Sequence, residues 1–110
     1  MKGYQLTFYT QQDRLHGKES LAEWLLKLAK EQGALGGTLF SADESFGHDG
    51  RFHSAHFFEL ADQPVGVVAA VDEATCTRVL EALRRENIDV FFVKTPVEYG
   101  RTGSYGARKP

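Results

Sequence analysis

The sequence has few of the features that are typical of secreted and membrane proteins. Cys76 is the single cysteine among 110 residues, so no disulfide can form within the chain, and a reducing cytoplasm is the natural setting. We interpret Cys76 as a small core residue. The first residues lead directly into an alternating strand pattern without an apolar leader, so we expect no signal peptide. No apolar run approaches the length that crosses a bilayer. The sequence therefore predicts a cytoplasmic protein without membrane insertion.

Neither sign of charge dominates, and the common catalytic signatures are absent. The formal net charge is -2 at pH 7, whereas broad nucleic-acid binding needs a strongly basic face, so we expect no nucleic-acid partner. There is no Walker, Rossmann or Gly-x-Ser-x-Gly motif. No nucleophile, base and orienting group can be assembled from the spacing of the polar residues. We therefore expect a protein that is not an enzyme.

What the sequence does contain is the periodicity of one small α+β domain. Its length fits a single domain with one modest core. Apolar alternation and apolar runs predict four strands, and apolar residues at helical spacing predict two helices. The strands lie at 4–10, 36–44, 65–71 and 88–97, and the helices at 18–32 and from 72 to about 87. This βαββαβ order predicts a ferredoxin-like fold, an antiparallel sheet with both helices on one face.

Local signals mark where the elements begin and end. Ser20 and Glu23 form a capping box at the first helix, Gly33 is suited to end that helix, and Asp72 is a good N-cap for the second. Pro96 indicates that the last strand lies at a sheet edge or ends there. The pattern fails at 45–55, which we interpret as a long loop, with 56–60 as a strand leading out of it. We expect a domain over 1–100 and a mobile polar tail over 101–110.

Two of the predicted strands are apolar on both faces. Val68 and Ala70 oppose Val67, and Phe91 opposes Phe92. Two helices can cover only one face of a four-stranded sheet, and an antiparallel sheet with one wet face normally alternates cleanly. Monomers rarely expose such a patch, so we expect a partner surface. The alternative is that the long loop or the tail folds back over this face.

Several motifs resemble one family of proteins. The segments 36–42 and 64–72 resemble the second and third strands of PII signalling proteins. The chain more closely resembles the PII-like family called domain of unknown function 190. The motifs that resemble this family are His16-Gly17-Lys18, Ser45-Phe46-Gly47 and the segment 53–58. The resemblance covers nearly all of 1–100. Three departures stand out: no residue separates His16 from Gly17, Ser45 replaces a glycine, and 86–89 replaces the phosphate loop of true PII proteins.

The resemblance implies a regulatory homotrimer that binds small ligands, often adenine nucleotides, in clefts between subunits. A bound nucleotide would be a regulatory ligand rather than a cofactor. The ligand would order the loop 45–55, which would signal to a partner protein such as a transporter or an enzyme.

The candidate ligand-binding residues include glycines, which leave the backbone accessible, and cationic side chains. Glycine permits close approach and a threonine hydroxyl can donate and accept, as an adenine edge requires. Cations on glycine-bearing loops suit a phosphate or another small anion. The alternatives are an ordinary strand threonine and a solvated loop. The candidates are Lys18, Gly36, Gly37, Thr38, Gly47, Arg51, His53 and Arg101.

The loop histidines allow a second hypothesis, a metal-binding protein or an enzyme. Imidazole suits zinc, copper or nickel, and His48, His53 and His56 lie close together in the sequence. Their spacing fits neither a helical His-x-x-x-His pair nor a cysteine-histidine zinc module. The metal site therefore stays the alternative to an anion site.

Overall fold

A computed structural model of the protein describes residues 1–42, 44–46, 52–54 and 63–106, with the backbone alone at 44–46 and 52–54. The elements in chain order are β1 (Lys2–Gln11), β2 (Leu15–His16), β3 (Glu19–Ser20), α1 (Leu21–Gln32), β4 (Gly36–Ser41), β5 (Glu44–Phe46), β6 (Phe52–Ser54), β7 (Pro64–Val71), α2 (Glu73–Arg85) and β8 (Phe91–Glu98). Four of these strands form one sheet in the order β4-β7-β1-β8, and each neighbouring pair is antiparallel. The expected ferredoxin-like α+β fold is confirmed.

The core lies between the sheet and the two helices. On β1 the side chains of Leu6 and Phe8 are 1% and 2% exposed, and alternation places both on the helix-covered face. Large apolar side chains such as these each contribute roughly 1.5–3 kcal/mol when buried. Cys76 on α2 is buried in the same cluster, and burial raises the pKa of its thiol. The prediction of a small core cysteine is therefore confirmed.

The caps confirm the local signals. The Ser20 hydroxyl accepts a hydrogen bond from the Glu23 N–H at 3.1 Å, and Gly33 ends α1 in the left-handed region at φ 115°. The Asp72 carboxylate accepts from the Thr75 N–H at 2.7 Å. This hydrogen bond lowers the pKa of Asp72. Both helix starts are thus stabilised by side chains that the sequence already identifies.

Two elements begin three residues later than the sequence predicts. The first helix begins at Leu21 rather than Lys18, because Gly17 at φ 66° turns the chain into the β2–β3 hairpin. The last strand begins at Phe91 rather than 88, because Asn87 at φ 56° follows α2 and the Ile88 N–H still bonds to Leu83.

The expected loop 45–55 is partly a ribbon, since β5 pairs with β6. Strands of three residues pair through the backbone and need no apolar alternation, which is why the sequence pattern failed there. The strand predicted over 56–60 lies outside the described residues.

One face of the sheet carries apolar side chains that the described residues leave uncovered. Register and alternation place Tyr9, Phe40, Val68, Phe91 and Val93 on the face away from the helices, and we call this set the open face. Tyr9 is 40% exposed and Phe91 60% exposed, with their ring centroids 6.0 Å apart. The strands predicted to be apolar on both faces therefore leave an apolar patch on this chain.

Candidate functional site

The first group of candidate residues begins β4, at one edge of the sheet. Gly36, Gly37 and Thr38 are all exposed. Thr38 lies opposite Val68, so its side chain is on the open face. A Cβ added at Gly37 would lie 2.9 Å from Cδ1 of Leu26, whereas one added at Gly36 would meet no described heavy atom within 4 Å. The two adjacent glycines therefore have different surroundings.

Arg101 lies just beyond β8, at the other edge of the sheet. Tyr99 is held against Met1, since the Tyr99 N–H donates to the Met1 carbonyl at 2.8 Å and the Met1 ammonium donates to the Tyr99 carbonyl at 2.8 Å. A short 3-10 helix follows at Thr102–Ser104, and the Ser104 N–H donates to the Arg101 carbonyl at 3.1 Å. Arg101 is exposed, on backbone that is anchored on both sides.

Thr38 and Arg101 lie towards the same end of the sheet but on opposite edges. Gly36 pairs with Ala70, and Lys2 pairs with Glu98, which places the start of β4 and the end of β8 at one end. The strands β7 and β1 lie between these edges, and three strand spacings amount to about 14 Å. One phosphate or one base cannot contact Thr38 and Arg101 of the same chain. A ligand that contacts both residues must either span the sheet of one chain or lie between two copies.

Lys18 lies at the other end of the molecule. It is exposed in the turn of the β2–β3 hairpin, which follows the end of β1. The hairpin is held to α1 by the ring contact of His16 with Trp24, whose centroids are 4.4 Å apart, and by the Lys27–Glu19 ion pair at 2.6 Å. The eight residues of β8 span about 26 Å. Lys18 is therefore far from Arg101 in one chain.

The remaining candidates lie in the segment between β4 and β7. Gly47 and Arg51, and likewise His48 and His56 of the metal hypothesis, are outside the described residues. His53 is described by its backbone alone, which pairs with Ser45. Within the described ranges no three His, Cys, Asp or Glu side chains gather as metal ligands. The side chains of His48, His53 and His56 lie outside these ranges, so the described residues give the metal hypothesis no support.

Sequence reasoning missed one depression on the helix side of the sheet. Its volume is about 470 Å³, and it lies between the start of α2 and the end of β8. Lys94 projects its ammonium 4.2 Å above the centre of the Tyr4 ring at its side. The charged residues that line the depression include both lysine and glutamate, so the depression does not favour an anion. The lining residues are Lys2, Gly3, Tyr4, Glu73, Pro96, Val97 and Glu98.

The pKa shifts of the described groups arise from caps, ion pairs and burial. Besides Asp72 and Cys76, the hydrogen bond and charge of Glu19 raise the pKa of Lys27. The Arg84 guanidinium likewise lowers the pKa of Glu81. These groups stabilise helices and surface contacts, and none of them is a candidate ligand-binding residue.

The antiparallel sheet with two helices on one face defines a small domain of the ferredoxin-like class. The chain belongs to the family DUF190, described as "Uncharacterized ACR, COG1993", which it matches over residues 3–98. The family expected from the histidine-glycine-lysine and strand motifs is thereby confirmed. None of the curated proteins compared with the chain matches it.

Solved structures of PII-like proteins share the fold. CPII of Thiomonas intermedia K12, a nitrogen regulatory PII-like protein bound to ADP, AMP and bicarbonate, is 20% identical with a TM-score of 0.68, covering 92% of this chain and 91% of that one. Its apo form is 19% identical with a TM-score of 0.58, covering 92% and 95%. A PII-like signalling protein of Thermus thermophilus is 20% identical with a TM-score of 0.64, covering 87% of each chain.

Proposed function

We propose that the protein is a cytoplasmic, non-enzymatic PII-like regulator that binds a small anionic ligand, an adenine nucleotide, in clefts between the subunits of a homotrimer. The observation that carries this proposal is the position of Thr38 and Arg101 on opposite edges of one sheet. A single chain holds two halves of a site that do not meet. A ring of copies, each presenting its β4 edge to the end of β8 of the next, would join them.

The open face supports the assembly. A ring needs contacts in which one surface of a copy meets a different surface of the next, and three such contacts close when the rotation fits. Tyr9, Phe91 and Val93 are exposed beside the β8 edge and would be buried in such a ring. Removing this apolar area from water favours association. The number three is what the family resemblance implies.

The chemistry of the two halves fits a nucleotide. A guanidinium forms paired, charge-assisted hydrogen bonds with phosphate oxygens, which is the part assigned to Arg101. The Thr38 hydroxyl can donate and accept, so it can bond to the edge of a base. Bound ADP and AMP in the Thiomonas intermedia CPII structure support this ligand class.

The connector from α2 to β8 lacks the glycine and lysine with which true PII proteins hold phosphates, since Glu86-Asn87-Ile88-Asp89 stands there. The Arg14 guanidinium donates to the carbonyl of Asp89, so that part of the connector is engaged within the chain. We therefore assign the phosphate contact to Arg101. Lys18, Gly47, Arg51 and His53 stay ligand contacts predicted from the sequence alone. Ligand binding would change the loop 45–55, which then signals to a partner protein such as a transporter or an enzyme.

Nucleotide titration tests the proposal. In a thermal-shift and calorimetry panel of AMP, ADP, ATP, cyclic nucleotides and divalent metals, we expect adenine nucleotides to raise the melting temperature in a concentration-dependent way. Thr38→Ala should weaken ADP binding about tenfold, the size of one hydrogen bond to a charged or polar group, with Lys30→Ala as an exposed control. Stabilisation by metals alone, with metal retained after dialysis, would contradict the proposal.

A further inference from the structure

The depression between the start of α2 and the end of β8 has a charged part and an apolar part. Lys2 lies opposite Glu98 in the register of β1 with β8, so their side chains share one face of the sheet and their Cα atoms are about 4.5–5.5 Å apart. Tyr4 and its register partner Pro96 lie on the same face, two residues further along each strand. Glu73, the first residue of α2, completes the charged lining.

The backbone around the depression is held in place by the fold. Just beyond β8, the Tyr99 N–H donates to the Met1 carbonyl and the Met1 ammonium donates to the Tyr99 carbonyl, both at 2.8 Å. A Cβ at Gly3 would overlap the Val71 carbonyl oxygen and lie 3.0 Å from Cε1 of Tyr99. The start of β1 therefore packs tightly against the segment that leads into α2, and the depression is formed by anchored backbone.

The charged side chains that line the depression have no partner within the described part of the chain. Lys2, Glu73 and Glu98 make no side-chain hydrogen bond or ion pair there. Lys94 differs, because its ammonium lies over the Tyr4 ring. An anion in the depression would meet two carboxylates, and a cation would meet the Lys2 ammonium. A ligand that carries both charges can instead satisfy both kinds of group.

We infer that the depression binds a small zwitterion, an α-amino acid with an apolar side chain. Glu73 and Glu98 accept hydrogen bonds from its ammonium group, and Lys2 donates to its carboxylate. The apolar side chain packs on Tyr4 and Pro96. The volume of about 470 Å³ lies within the range of small-ligand pockets, about 300–1,000 Å³. All the lining residues belong to one chain, so this site goes beyond the proposed nucleotide cleft.

The openness of the site sets the strength and the selectivity of binding. Lys2, Glu73 and Glu98 are exposed, so water screens each charged contact. We expect a dissociation constant on the order of 1 mM. Selectivity comes from two opposite charges held at a fixed separation, and a ligand that carries only one of them loses one contact and leaves one charge of the site unmatched.

Leucine and two of its derivatives test the two charges separately. Leucinamide keeps the ammonium group and lacks the carboxylate, whereas N-acetylleucine keeps the carboxylate and lacks the ammonium. In calorimetry with the full chain, leucine should bind, and each derivative should bind about fivefold more weakly or less. Equal binding of leucine and either derivative would overturn the zwitterion assignment. Absence of binding by leucine, methionine and phenylalanine at about 20 mM would overturn the site.

Two variants place the binding in the depression. Glu98→Gln should weaken leucine and leucinamide alike, about fivefold. Lys2→Gln should weaken leucine by a similar factor but leave leucinamide bound as tightly as before, because leucinamide has no carboxylate for Lys2. The matched controls Glu86→Gln and Lys30→Gln remove exposed charges elsewhere and should change neither ligand. Leucine binding that the first two variants leave unchanged would overturn the assignment.

The nucleotide cleft and the amino-acid site can be tested independently. Arg101→Gln, which removes the proposed phosphate contact, should leave leucine binding unchanged, and Lys2→Gln should leave ADP binding unchanged. A wild type that binds ADP but no amino acid would refute the amino-acid site and keep the proposed function. A wild type that binds leucine but no nucleotide would do the reverse.

Discussion

The two faces of the sheet are built from similar residues but meet different surroundings. Leu6, Phe8 and Val67 on the helix-covered face are 1–2% exposed, whereas Tyr9, Phe91 and Val93 on the open face are 40–60% exposed. The first set makes the chain fold, and the second contributes little to folding of one copy. The difference indicates that the apolar residues of this sheet serve two separate contacts, one within the chain and, in the proposed ring, one between copies.

Truncation of the covered face should have the largest effect on folding. Phe8→Ala removes a side chain that is 2% exposed, so it should lower the free energy of unfolding by about 3–5 kcal/mol through lost burial and a cavity. Urea unfolding followed by circular dichroism measures this. A loss below about 1 kcal/mol would show that the two faces do not differ as described.

Substitution on the open face should affect assembly instead. Phe91→Ser combined with Val93→Ser should leave the monomer folded and raise the subunit dissociation constant about thirtyfold or more, as expected for buried aromatic anchors. The matched control is Phe92→Ser, because Phe92 is 42% exposed on the same strand but faces the helix side. Equal effects of both variants in sedimentation velocity would mean that the open face is not the interface.

Loss of a helix cap should have a smaller effect on the fold. Ser20→Ala removes the hydroxyl that accepts from the Glu23 N–H, and we expect a loss of about 1 kcal/mol in the free energy of unfolding. Ser20→Asp should restore most of it, because a carboxylate caps as well. Equal stability of wild type and Ser20→Ala would show that the hairpin before α1 fixes the helix start without the cap.

Acid should remove the smallest contribution, that of the second cap. The pKa of Asp72 is lowered in the folded protein by the Thr75 N–H, so its stabilisation is present above the ordinary carboxyl pKa and is lost as the pH falls through the folded value. Asp72→Asn should flatten the loss of stability below about pH 4 while keeping an accepting oxygen. Identical acid unfolding curves for the two proteins would contradict this assignment.

The sequence best predicts structural features that depend on residues close together along the chain. Ser20, Gly33 and Asp72 mark helix ends through local hydrogen bonds and local backbone angles, and Pro96 correctly indicates an edge strand. The β2–β3 hairpin was missed because Lys18 and Glu19 continue a helix-like pattern, and only the turn at Gly17 redirects them. The β5–β6 ribbon pairs through backbone groups that carry no side-chain signal.

The candidate site depends on contacts that the sequence does not encode locally. The motif Gly36-Gly37-Thr38 was found, but the different surroundings of the two glycines follow from the packing of Leu26 on α1. The separation of Thr38 from Arg101 follows from the strand order, which local periodicity does not give. Lys18, Gly47, Arg51 and His53 stay predictions as ligand contacts, as do the domain limits at 1–100 and the mobile tail over 101–110.

The central claim is that two copies share each nucleotide cleft, and mixing of two inactive variants tests it most directly. Thr38→Ala and Arg101→Gln each damage a different half, so each homogeneous protein should bind ADP at least tenfold more weakly than the wild type. After the subunits are mixed and allowed to exchange, about one cleft in four should combine an intact Thr38 with an intact Arg101 from the next copy. Calorimetry should then recover that fraction of wild-type, high-affinity sites. Two variants that each bind weakly and recover no high-affinity sites on mixing would contradict a shared cleft.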